Sequence, residues 1–182
     1  MAAVWIRLLP RVRERVVTVP SDGRKAGSTD VEDLDRERGP YRALAAYARA
    51  EPADLLFTSE LQRLLSRAGS PVVSTAAHPG RAATNPLRSD GRRGARRLAQ
   101  KAVVGLFAQS DDDGALPTLH AAVAGVPGDG YAGPSGFLEG RGAPKPVGRP
   151  ARARDAGAAR RLWKASEDLT GVAFPRGSLR TA

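Results

Sequence analysis

The residue types that could support covalent or metal chemistry are scarce in this sequence. Cysteine is absent, which excludes a thiol nucleophile, a thiolate zinc site and a disulfide scaffold. The two histidines, His78 and His120, are too few for a histidine-rich metal site. We expect no metal centre, and we expect His120, on a helical face, to pack or to face solvent. Any site must therefore be built mainly from hydroxyls, carboxylates and arginines.

Three short motifs look like known sites, but each lacks a part that its chemistry needs. Residues 128–133 spell Gly-x-Gly-x-x-Gly. A dinucleotide loop follows a strand and opens a helix, whereas here a helix is predicted before the motif and a proline-rich loop after it. Asp111–Asp113 begin a calcium-like loop without its closing glutamate, so we expect them to cap the next helix. Ser135 does not lie in the Gly-x-Ser-x-Gly elbow of hydrolases.

The chain is strongly basic, with 29 Lys and Arg against 19 Asp and Glu in 182 residues. The cations are almost all arginine, and they cluster around residues 88–101 and 149–161. Aromatic residues do not alternate with either cluster, so no stacking platform for single-stranded nucleic acid is visible. The pattern favours solvated basic faces over a nucleic-acid site.

The elements that must position any site begin with a strand, a long helix and a second strand. Arg15–Ser21 is a β-branched run, and Val72–Ala77 is a second one that ends at His78-Pro79-Gly80. Between them, residues 43–68 carry leucines at helical spacing, and Gly69 ends that pattern. Together these segments predict a parallel βαβ unit with a right-handed crossover.

Further helices are predicted toward the C-terminus, with few strands for the length of the chain. Their ranges are Ala95–Gln109, Leu116–Ala124 and Arg152–Thr170, the last with Leu162 and Trp163 on its apolar side. Gly171 is predicted to end this last helix. One short strand is predicted around Tyr131. We expect one α/β domain over residues 1–175 and a disordered tail over residues 176–182.

The N-terminus and the hydropathy pattern bear on location. The first ten residues are too short and too polar for a signal peptide, and no apolar run is long enough to span a membrane. These features favour a cytoplasmic protein.

Segments in a fixed order resemble the short-chain dehydrogenase/reductase family, specifically its branch of retinol dehydrogenases and protochlorophyllide reductases. They cover almost the whole chain, in the ranges Arg15–Ser21, Ala45–Val72, Ala76–Asn85, Gly114–Lys145 and Ala159–Val172. The resemblance implies a partial Rossmann-like, doubly wound domain with extra C-terminal helices, in which the N-terminal half of the sheet is missing. It also implies an oxidoreductase that uses NADP or NAD and acts on a hydrophobic carbonyl or alcohol compound.

The same resemblance assigns roles to individual residues. Tyr47 matches the family's catalytic acid/base, which protonates the forming alkoxide. Ser21 matches the serine that polarises the substrate oxygen. Pro79, Gly80 and Thr84 match the loop that passes the nicotinamide carboxamide.

The sequence departs from the family pattern in its catalytic helix. The family places lysine one turn after the tyrosine, to favour phenolate and to hold the nicotinamide ribose. Here that position is Glu51, whose carboxylate would raise the pKa of the phenol. Pro52 removes a helical hydrogen bond, so we expect a kink or a restart of the helix there. Pro20 replaces the first of the family's paired serines.

The family's Gly-rich phosphate loop, its first strands and its catalytic asparagine have no counterpart in the sequence. The resemblance therefore predicts that this chain alone binds cofactor poorly and is inactive or impaired. An alternative is a non-catalytic interaction module, or one half of a split enzyme. Its first strand would then pair with a second copy or with a complementary N-terminal half.

Overall fold

The computed structural model describes residues 7–20, 43–81 and 109–175, with side chains described throughout these ranges except at 43–51. Four strands and three helices account for most of these residues. In chain order they are β1 (Arg15–Thr18), α1 (Ala43–Arg67), β2 (Val73–Ala77), α2 (Asp111–Val123), β3 (Tyr131–Pro134), β4 (Pro144–Pro146) and α3 (Ala156–Thr170).

The strands form one sheet in the order β1-β2-β3-β4. The first three strands are parallel, with Val16 opposite Ser74 and Ala76 opposite Tyr131, and β4 runs antiparallel to β3. The parallel βαβ unit is thus confirmed. Strand β4 was not predicted, because its sequence, Pro-Lys-Pro, has none of the β-branched or aromatic residues that signal a strand.

Both faces of the sheet are covered by helices. On one face, Val16 belongs to a cluster with Leu61 and Leu65 of α1. Toward the other face, Ala77 and Ala132 pack with Ala121 of α2. Because side chains alternate along a strand, burial on both faces requires continuous apolar runs rather than alternation. The central strands fit this expectation, because Ser74–Ala77 of β2 and all of β3 are buried.

Helix α1 continues through Pro52 without a break, so the predicted restart does not occur. The Pro52 side chain is fully buried. Beyond it, Phe57 stacks on Trp163 of α3 with ring centroids 5.3 Å apart, and Phe174 meets the same indole edge-on at 6.1 Å. This packing along α1 compensates for the hydrogen bond that proline cannot donate.

Polar caps fix the ends of α2 and α3. The Ser110 hydroxyl accepts the backbone N–H of Asp113, so a serine caps α2 while the three aspartates occupy its first turn. The Asp155 carboxylate accepts the N–H groups of Gly157 and Ala158 at 2.7 and 3.0 Å. Gly171, with a φ of 65°, ends α3 as the sequence predicts.

A buried arginine ties the segment after β4 to α1 and to the loop before β3. Arg149 donates to the carbonyl oxygens of Leu55 and Asp129 at 3.2 and 2.7 Å, and to the Ser59 hydroxyl. It also pairs with the Asp129 carboxylate at 2.7 Å while only 9% of its side chain is exposed. Burial lowers the pKa of this guanidinium, and Asp129 opposes that effect. The second basic cluster therefore contains a structural cation.

We predict that Arg149→Ala lowers the free energy of unfolding by about 2–3 kcal/mol, because it leaves desolvated carbonyls and a carboxylate without their partner. Urea denaturation of the two proteins measures the difference. Lys164→Ala is the matched control, since Lys164 pairs with Asp168 on an exposed surface and such pairs contribute little. Equal decreases in the free energy of unfolding for the two variants would contradict a structural role for Arg149.

We predict that Asp155→Ala lowers the urea midpoint at pH 7 and that this difference shrinks at pH 3. The backbone hydrogen bonds from Ala158 and Gly157 lower the pKa of Asp155 below its ordinary value of 3.8. Its contribution is therefore complete at neutral pH and is lost as the pH falls below that value. Asp155→Asn, which caps without titrating, should lower the midpoint at pH 7 less than Asp155→Ala does, and its difference from Asp155→Ala should not change with pH. A difference between the unchanged chain and Asp155→Ala that does not change with pH would contradict the charge-assisted cap.

Candidate functional site

Two segments that were predicted to contribute to the site, the start of α1 and the turn after β2, lie toward one edge of the sheet. Leu65 of α1 clusters with Val72, just before β2, whereas Leu55 clusters with Ala76 near the end of β2. Helix α1 therefore runs antiparallel to the strands, and its first turns lie toward their carboxyl ends. Tyr47, eight residues before Leu55 and about 12 Å further along the helix, lies at that edge.

The loop Pro79–Arg81 leaves β2 at the same edge, where ligands bind in open parallel sheets. The backbone of Tyr47 is helical, and its side chain is outside the described residues. Ser21 and Thr84 also lie outside the described residues. Of the predicted site residues, the structure thus describes the backbone of Tyr47 and the loop that contains Pro79 and Gly80, and both lie toward the edge where the parallel strands end.

Gly80 is held in a conformation and a space that only glycine fits. Its φ is +67°, and a Cβ there would lie 2.6 Å from the carbonyl oxygen of Gly140. The next residue, Arg81, donates its N–H to that same oxygen at 2.8 Å. The loop after β2 is therefore packed directly on the loop between β3 and β4.

Gln109, which belongs to no sequence motif, joins these two loops. Gln109 donates from Nε2 to the Pro79 carbonyl at 2.6 Å and accepts the Gly142 N–H at Oε1 at 3.2 Å. Its own N–H donates to the Arg81 carbonyl at 3.0 Å. The prediction of a helix over Ala95–Gln109 is wrong at Gln109, because this residue forms a β-bridge. The other residues of that predicted helix lie outside the described part of the chain.

His78, the last residue before the Pro-Gly turn, is completely buried. Its Nδ1 accepts the Gly80 N–H at 3.2 Å, and its Nε2 lies 3.4 Å from Oε2 of Glu139. An imidazole that accepts at Nδ1 carries its proton on Nε2, so this hydrogen-bond pattern directs the N–H toward the carboxylate. Gly133 leaves room for the ring, because a Cβ there would lie 2.1 Å from Nε2.

The loop after β3 presents apolar side chains beside this arrangement. Phe137 is 84% exposed and Leu138 is 54% exposed. Leu138 and Glu139 have φ values of 51° and 56°, in the left-handed region that non-glycine residues adopt at a cost of about 1 kcal/mol or more. The contacts of the loop with Gly80, Gln109 and His78 hold it in this conformation. At the carboxyl edge it forms an apolar, fixed wall.

The motifs that resembled other sites have structural roles. Residues 128–130 form a turn and residues 131–133 begin β3, so the motif opens a strand rather than a helix. A Cβ at Gly128 would lie 2.4 Å from the Gln62 side chain. Ser135 donates its N–H to the Ala143 carbonyl between β3 and β4. In the described ranges no three His, Asp or Glu residues come together as metal ligands. No helix in those ranges has the length and apolar character of a membrane span.

No family model matches the chain, but individual proteins do. It is 36% identical over 177 residues to polyprenol dehydrogenase of Mus musculus, covering 91% of this chain and 49% of that protein. It is 34% identical over 166 residues to retinol dehydrogenase 13 of Homo sapiens, covering 88% and 47%. A short chain dehydrogenase/reductase of Macrophomina phaseolina is 30% identical over 125 residues, covering 66% and 57%.

A solved structure supports the same relationship. The crystal structure of an uncharacterised protein from Mycobacterium paratuberculosis superposes with a TM-score of 0.74 at 42% identity, covering 94% of this chain and 56% of that one. The chain spans about half the length of the curated relatives it matches. The four-stranded, mostly parallel sheet with its helices is accordingly a partial Rossmann-like fold, and the chain belongs to the short-chain dehydrogenase/reductase family.

Proposed function

We propose that this chain is the catalytic and substrate-binding part of an oxidoreductase that interconverts a hydrophobic alcohol and its carbonyl compound with NADP(H). The observation that carries the proposal is the shared edge of the sheet, where α1 begins and where the Pro79–Arg81 loop leaves β2. Tyr47 on α1 would donate the proton to the alkoxide, and Ser21, three residues after the end of β1 in the sequence, would polarise the substrate oxygen.

The residues present fit the nicotinamide end of the cofactor better than its phosphate end. Pro79 and Gly80 are fixed at the correct edge by Gln109 and Gly140, and Thr84 follows in the same segment. The only glycine motif with dinucleotide spacing, residues 128–133, is occupied by packing against Gln62 and His78. The cofactor would supply the hydride, and the chain would supply the proton and the binding surface for the carboxamide.

The hydrophobic character of the substrate is inferred from the apolar side chains at this edge. Phe137 and Leu138 lie on the fixed loop after β3, and Val19, 51% exposed, follows β1. Large exposed apolar groups at the mouth of a site favour apolar ligands. The names of the relatives from Mus musculus and Homo sapiens, polyprenol dehydrogenase and retinol dehydrogenase, indicate substrates of this kind for those proteins.

We also propose that the 182 residues by themselves have little or no turnover. Tyr47 and Glu51 are four residues apart in a continuous helix, so they share one face of it. A carboxylate on that face disfavours the phenolate that the family's lysine would stabilise. The match to half of each relative adds a second reason, since the part of the family domain that holds the cofactor phosphates is not matched.

We predict that Glu51→Lys makes a fusion of this chain to the N-terminal half of an active relative reduce aldehydes with NADPH at least about 100-fold faster. The reason is that a lysine one turn after Tyr47 favours ionisation of its phenol, the proposed acid/base group. Absorbance at 340 nm measures NADPH consumption. Tyr47→Phe in the same fusion is the control and should abolish the gain. Substantial Tyr47-dependent turnover by the unfused, unchanged chain would contradict the proposed inactivity.

A second candidate function is pairing through the edge of the sheet. In the described residues β1 pairs only with β2, so its other side offers backbone groups to another strand. The Glu14 carbonyl accepts the Val73 N–H, so Glu14 and Val16 face β2 and the N–H of Val17 faces outward. The partner would be a second copy or a complementary N-terminal half.

If pairing occurs at this edge, light scattering after size-exclusion chromatography should show concentration-dependent association of the chain. Val17→Pro removes one outward N–H and leaves the bonds to β2, so it should weaken association. Thermal denaturation checks that the variant remains folded. A folded monomer at every concentration would reject the edge as an interface between two copies of the chain. Failure to co-purify with an N-terminal half would reject pairing with that complementary half.

A further inference from the structure

A groove of about 750 Å³ lies at the end of the sheet opposite the candidate active site. It is formed by the end of α2, the loop before β3, the first residues of β3 and the segment that follows β4. These are the amino ends of the parallel strands, whereas Tyr47 and Gly80 belong to the carboxyl edge. The groove is therefore separate from the site described above.

The walls of the groove are mainly apolar, and its volume is within the range of about 300–1,000 Å³ that is typical of small-molecule sites. The apolar lining comes from Val126, Pro127, Tyr131, Pro146 and Val147. Such a lining takes up a hydrocarbon chain or ring.

The groove is lined by two arginines and one aspartate, so its lining carries a net positive charge. The one acidic residue among those that line it, Asp129, is paired with Arg149 at 2.7 Å. Arg154 donates from Nε to the Arg149 carbonyl at 3.0 Å and has no carboxylate within ion-pair distance in the described part of the chain. His120 lines the same groove and makes no side-chain hydrogen bond with another described residue.

We propose that this groove binds a small amphiphilic anion, with a single carboxylate or phosphate monoester held by Arg154 and His120 and an apolar chain along the walls. The guanidinium forms bidentate hydrogen bonds with either headgroup. Arg149 cannot serve as this anchor, because Asp129 and two backbone carbonyls already occupy it.

The groove does not share residues with either arrangement proposed above. All the residues that line it fall between 120 and 154, on the β3–β4 side of the sheet. A strand added to the outer edge of β1 would be separated from β3 by β1 and β2. Binding at the groove thus needs neither turnover nor a partner, so it can be tested independently of the oxidoreductase proposal.

Calorimetric titration of the full chain with octanoate and octyl phosphate, both below their micelle concentrations, tests the proposal. We expect one saturable site per chain for at least one of the two anions, with much weaker binding of 1-octanol and of acetate. In ¹H–¹⁵N spectra the amides of Gly125, Gly130 and Gly148, which line the groove, should shift. Absence of saturable binding, or equally tight binding of octanol, would overturn the proposal.

Four variants locate the site. Arg154→Ala and His120→Ala should each weaken binding, by about tenfold for the arginine, because a charge-assisted hydrogen bond is lost. Gly148→Leu should block the groove, since a Cβ there would lie in ordinary van der Waals contact with the Arg154 guanidinium, at 3.9 Å, without a clash. Arg160→Ala is the control, because Arg160 is exposed on α3 away from the groove and should leave the affinity unchanged.

Two results would contradict the assignment to this groove. Equal weakening by Arg160→Ala and Arg154→Ala would show nonspecific attraction to a basic protein. The chain could also sediment with phosphatidylglycerol vesicles while it binds neither octanoate nor octyl phosphate. That combination would show that the face binds a membrane surface and not a small molecule.

Discussion

The parallel pairing of β1, β2 and β3 determines where the helices and the loops of this domain lie. Parallel strands can be joined only by a crossover that returns the chain to the starting edge, and α1 makes this return between β1 and β2. The crossover buries Val16 and Ala76 under the leucines of α1, while α2 covers the opposite face at Ala77. It also collects the segments that follow each strand at one edge, which is why residues distant in sequence can form a site there.

At that edge, two glycines allow a closer approach than side chains would permit. Gly133 provides the space for the His78 ring, and Gly80 lies against the Gly140 carbonyl. The result is a fixed arrangement in which Gln109 and the pair His78–Glu139 hold the loop after β2. Fixed loops of this kind reduce the reorganisation that a bound nicotinamide and a substrate would require.

Sequence patterns within a few residues were enough to predict individual strands, helices and helix ends. The β-branched run at Arg15 and the leucine pattern of α1 are confirmed, as is the glycine that ends α3, because each reports burial or backbone conformation within a few residues. Gln109 and Glu139 could not be predicted in this way. Their roles come from contacts with residues about 30 and 60 positions away, and neither belongs to a motif. Tyr47 and Gly80 were found only through resemblance, since a helical tyrosine and a turn glycine are common.

Because α1 is continuous, its backbone follows the family pattern even though the charge at position 51 does not. Pro52 is accommodated because packing on the sheet and on Trp163 stabilises the helix on its C-terminal side, so the backbone carries Tyr47 to the carboxyl edge despite the proline. The departure at Glu51 is different, because no packing changes the sign of a side-chain charge. Apolar burial further along α1 thus determines where position 47 lies, whereas the charge at position 51 follows only from the residue type, a glutamate where the family has lysine. Within the helix, the backbone that would carry the proposed acid/base residue is retained, and the departure that bears on its chemistry is the charge of Glu51.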